Sequence, residues 1–166
     1  MDVTELAFYA GYAFCQAVNV QSVLEPDALM VPFVVEWSEK SPSAKPYPAK
    51  TQKEAVQLQA DAIGKIEQNF QPWSAGKDGL LSLSNGSKAD VLVITSGSHE
   101  LGSRLEVLHM YTTKPFALTG NFIVQPPYDE FLKKENGSSR FFASFIQGIQ
   151  AHNFSGECMS YVANKS

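Results

Sequence analysis

The chain has 166 residues, 44% of them hydrophobic and 18% charged, with a formal net charge of −4. This length favours one domain and is enough to bury a core without metal or disulfide help, and the composition excludes disorder over most of the chain. Thirteen Lys and Arg stand against seventeen Asp and Glu without a basic stripe, which excludes nucleic acid as the main partner because phosphate neutralisation needs clustered cations.

The first segment, "LAFYAGYAFCQAVNVQSVL" (6–24), carries no charge. Asp2 and Glu5 precede it where a signal peptide needs Lys or Arg, and Gln16, Asn19, Gln21 and Ser22 interrupt what a membrane span would need. It reads as a buried helix capped by Asp2 or Thr4, with Leu6, Ala10, Ala13, Phe14, Ala17 and Val18 at helical spacing and Tyr9 and Tyr12 widening the stripe. A soluble, cytoplasmic protein without membrane contact is the expectation.

"LMVPFVVEW" (29–37) reads as a strand, with Pro32 at an edge or at the strand's beginning. The proline-rich stretch 38–50 reads as an extended loop. Over 51–70, Thr51 and Glu54 form a capping box, and Val56, Ile63, Ile66 and Phe70 form one stripe, as in an amphipathic helix lying on a sheet.

Asn85-Gly86 separates two apolar runs within 79–95, a hairpin signal. The run 103–113 alternates, placing Leu105, Val107, His109 and Tyr111 on one face and Arg104, Glu106, Leu108 and Met110 on the other. With 116–124 these make four successive antiparallel strands, a meander. The stretch 126–139 reads as a loop with one helical turn. A helix follows over 138–152, capped by Ser138 or Ser139, with Phe142, Phe145, Ile146 and Ile149 inward. The last stretch, 157–163, reads as a short strand. The order predicts a single α+β domain over 1–166, a two-layer antiparallel β-meander sheet with helices packed on one face.

The stretch with the most reactive side chains is "SGSHELG" (96–102). A catalytic reading makes His99 a base for Ser96 or Ser98 oriented by Glu100, but adjacent loop side chains diverge. Gly97 and Gly102 bracket the stretch as positive-φ residues of a hairpin turn, which accounts for it without chemistry. No phosphate-binding glycine loop occurs, and His99, His109 and His152 lack metal-ligand spacing, so neither cofactor nor metal is expected. Asp129-Glu130 read as first-turn acidic residues favoured by a helix dipole. Cys15 and Cys158 match no metal pattern and are too few for a disulfide scaffold, so they read as core residues, with a long-range disulfide left open.

What remains is an acidic protein-binding domain of an inhibitor, immunity or chaperone-like kind. Trp37, Tyr47, Trp73, His99, Glu100 and Tyr128 are its candidate partner-binding residues. The alternative is a small-molecule-binding protein or enzyme with a cleft between sheet and helices near His109, flanked by Arg104, Glu106 and Tyr111. A homo-oligomer that buries the apolar first helix is the third reading.

Overall fold

The structure, a computed structural model, describes residues 2–39 and 41–165. Helix α1 (Val3–Ser22) starts where Asp2 accepts the Thr4 backbone N–H at 2.8 Å. Helix α2 (Gln52–Gln68) starts the same way, with the Thr51 hydroxyl accepting from the Glu54 N–H at 3.2 Å. Such caps stabilise a helix by about 1 kcal/mol each.

Six strands follow the alternating segments: β1 (Phe33–Ser38), β2 (Ser41–Pro46), β3 (Trp73–Ser82), β4 (Lys88–Gly97), β5 (Leu105–Thr112) and β6 (Ala117–Val124). They form one sheet in the order β2-β1-β3-β4-β5-β6, with every neighbouring pair antiparallel. The meander is β3 to β6. At its first turn Gly86 takes a positive φ of 83° and the Asn85 side chain accepts the Ser87 N–H.

Alternation along the strands separates two faces. Phe33, Val35, Trp37, Leu92, Ile94, Val107 and Tyr111 share one core with α1 and, after the short helix α3 (Asp129–Lys133), with α4 (Gly137–Gln150) and α5 (Ser155–Ala163). An α+β fold with α1 on an antiparallel sheet is therefore as expected. Helix α2 departs from the expected single helical face. Its Ile63 and Ile66 pack with Val34, Trp73 and Ala75, whose neighbours along the strands point to the α1 core. Gln59 anchors it by donating to the Phe33 and Gly76 carbonyls, both at 2.9 Å.

Three local readings change. The stretch 38–50 contains β2, because an edge strand tolerates Pro42 and Pro46, whose missing N–H groups no second neighbour needs; Lys40 lies outside the described residues. Pro32 precedes β1, and its carbonyl accepts the Tyr47 N–H at 2.9 Å. The expected last strand is α5, since a short apolar run fits either period and packing on α1 and α4 selects the helical one. Helix α4 begins at Gly137 after Asn136 (φ 60°), so neither Ser138 nor Ser139 caps it. Its seam with α1 depends on glycine: a Cβ on Gly11 would sit 1.9 Å from the Phe145 carbonyl oxygen, and one on Gly148 1.9 Å from that of Phe8. The two backbones meet at a distance only glycine allows.

Candidate functional site

Helix α1 leaves one part of its apolar circumference uncovered, near its start. Phe8 and Tyr9 there face Trp37 at the end of β1, with ring centroids 5.7 and 4.8 Å away, and Tyr12 meets the same indole edge-on at 5.1 Å. The indole is itself only 6% exposed and its N–H donates to Ser74 Oγ at 3.3 Å, so it is held as a fixed floor. Above it opens a cleft of about 500 Å³ lined by Glu5, Phe8, Tyr9, Trp37, Pro42 and Pro72, with Glu39 and Ala151 at its margin.

The cleft combines aromatic faces with carboxylates. The Tyr9 hydroxyl is raised above the ordinary tyrosine range, first by burial and then by the negative charges of Glu5 and Glu100. A cation placed over these rings would meet both their negative faces and the carboxylates. A neutral apolar side chain would find the same floor and the two prolines.

Of the residues singled out as partner-binding, Trp37 lines this cleft. Glu100 lies close enough to act on Tyr9, and with His99 it occupies a turn of 3-10 helix, His99–Leu101, between β4 and β5. The turn reading holds in part: Gly102 has a φ of 67°, whereas Gly97 is a strand residue against which the Trp73 ring packs, 2.7 Å from where a Cβ would sit. His99 is exposed and meets the exposed Phe70 ring edge-on at 4.2 Å. Trp73 is wholly buried on the α2 face, under the Arg104 guanidinium at 5.1 Å. Tyr47 also packs on the α2 side, with Lys45 over its ring. Tyr128 shares a 2.7 Å hydrogen bond with Ser103 Oγ.

The four residues of the alternative cleft divide between the two faces, as the alternation of β5 requires. Arg104 and Glu106 line a groove of about 450 Å³ beside α2, with Lys77, Thr95 and Gln125, and Arg104 is paired with Glu67 at 2.5 Å. His109 and Tyr111 face the α1 core. His109 has no exposed surface. Its Nδ1–H donates to the Met110 carbonyl at 2.9 Å, Nε2 has no partner among the described residues, and the ring meets Phe122 edge-on at 4.5 Å. Burial lowers its pKa to about 4, so it is a neutral core residue at pH 7. Tyr111 donates to Asp78 Oδ1 at 2.6 Å while the Met30 N–H donates to Oδ2 at 2.5 Å, a half-buried clamp joining β3, β5 and the approach to β1.

Phe8, Tyr9, Pro42 and Pro72 were not among the expected site residues. Their signal was an all-round apolar α1 whose tyrosines exceed what a core stripe needs. Among the described residues, no helix is long and apolar enough to cross a membrane, and no group of three or more His, Cys, Asp and Glu is gathered as a metal site. The fold and cleft together define an α+β domain with an aromatic, carboxylate-flanked recess at one end of its sheet. No family model matches the chain, and no curated protein or solved structure matches it.

Proposed function

We propose that the chain acts by binding another protein, in the manner of an inhibitor, immunity protein or chaperone, and that the recess beside Trp37 receives a basic side chain of the partner flanked by apolar ones. The observation that carries this reading is the pairing of Phe8, Tyr9 and Trp37 with Glu5 and Glu39 around one cleft. Aromatic anchors in a partly enclosed recess are what binding hot spots consist of. Glu100, close to Tyr9, adds negative charge on the same side.

The test is selection of displayed peptides on the immobilised protein, followed by affinity measurement on Glu5→Lys and Tyr9→Leu variants. Both positions are at least partly exposed, so the fold is retained. Peptides with a basic residue beside an apolar one should be enriched. Each variant should weaken them by about tenfold or more, roughly the 1.4 kcal/mol that a partly desolvated cation over an aromatic ring contributes. Enriched peptides that bind both variants as well as wild type would overturn the reading. The small-molecule alternative is left with the Arg104–Glu106 groove, since His109 lines none of the recesses described here.

A further inference from the structure

Cys15 and Cys158 stand almost the whole chain apart, yet the fold brings them together. Both are free and wholly buried, Cys15 on α1 and Cys158 as the one buried side chain of α5. They share one core cluster where α5 packs on α1, and each thiol lies close enough to act on the other. Asn19, one turn further along α1, donates to Cys15 Sγ at 3.6 Å. His152, whose charge and hydrogen bonding act on the same thiol, is held by an Nε2 contact of 2.7 Å to Gln16 Oε1 and by the Phe154 N–H, which donates to Nδ1 at 3.1 Å. The nearness of Cys158, followed by that of His152 and the Asn19 bond, holds the Cys15 thiol below the usual cysteine range and favours its thiolate. Cys158 is pushed up by the same partnership, so the shared proton stays with it.

Helix α5 can expose this pair. It has nine residues and, among the described residues, no side-chain cap at its start and only Met159, Tyr161 and Val162 besides Cys158 packed on the core. A short element held by so few side chains opens locally at far less cost than the whole domain. Opening it uncovers Cys15 on a helix that remains folded.

We propose that Cys15 and Cys158 form a thiol–disulfide site, which a low-molecular-weight disulfide such as oxidised glutathione closes into an intramolecular bond pinning α5 to α1. The Cys15 thiolate attacks one sulfur of the reagent, forming a mixed disulfide and releasing one glutathione thiolate. When α5 returns, Cys158 gives up its proton and attacks the Cys15 sulfur, and the second glutathione thiolate leaves. Two protein thiols are oxidised, the reagent is reduced to two thiols, and the two protons leave on them. The site is independent of the partner-binding reading.

Native wild-type protein is incubated with oxidised glutathione, alkylated and digested without reduction. The expected result is loss of both free thiols, a mass lower by two hydrogens, and one cross-linked peptide pair containing Cys15 and Cys158. The Cys158→Ser variant should stop at a single glutathione adduct on Cys15. Wild-type protein that keeps both thiols, or that carries adducts without the cross-link, overturns the proposal. Resistance of Cys158→Ser to the reagent overturns Cys15 as the attacking thiol.

Discussion

Lowering the pH below 6.5 sets the folded state against His109. The unfolded chain takes up a proton at the ordinary histidine pKa of 6.5, whereas the folded chain holds this group near 4. Burial is the leading cause; the Met110 carbonyl opposes it in part, and the nearby Lys165 charge adds to it. Between these values the unfolded state binds more protons, so stability falls as pH falls, and the contribution is fully present only above 6.5. From the two pKa values the loss is about 2 kcal/mol by about pH 5, against a typical total of roughly 5–15 kcal/mol. The assay is urea unfolding of wild type and His109→Met at about pH 7 and about pH 5, with methionine chosen because its flexible side chain fills an irregular apolar site. The variant should be less stable at neutral pH, because the Met110 carbonyl loses its donor, but its stability should fall by about 2 kcal/mol less on acidification. Equal losses in the two proteins would refute the assignment of this pH dependence to His109.

Gly148→Ala should lower stability by about 2 kcal/mol or more, because its Cβ meets backbone that has no rotamer to yield, and thermal unfolding reads it; an unchanged Tm would mean that α1 and α4 are not in contact there. Trp73→Ala should cost about 3–5 kcal/mol as a core truncation, measured by denaturant unfolding, and a near-neutral result would contradict its complete burial. Asp78→Asn leaves one oxygen for two donors, the Met30 N–H and the Tyr111 hydroxyl, and should cost about 1–3 kcal/mol; calorimetry showing no change would remove this clamp from the fold's support.

The sequence by itself determined what depends on local period and on single-residue conformational preference. Thr51 and the 3.6-residue stripe after it specify α2, Asn85-Gly86 specifies the first turn of the meander, and the alternation in 103–113 places Arg104 and Glu106 on one face and His109 and Tyr111 on the other. Each of these is decided by neighbours a few residues away. The tertiary structure alone decided that prolines at 42 and 46 sit in a strand, because only the sheet order makes that strand an edge. It also decided that 155–163 is helical, that α2 takes the face opposite α1, and that both tryptophans are core residues rather than surface ones. The candidate cleft is assembled from the start of α1, β1, β2, the approach to β3 and the end of α4, and the thiol pair joins the first helix to the last. No local pattern encodes such meetings, because they arise when separate apolar faces close on one another and exclude water.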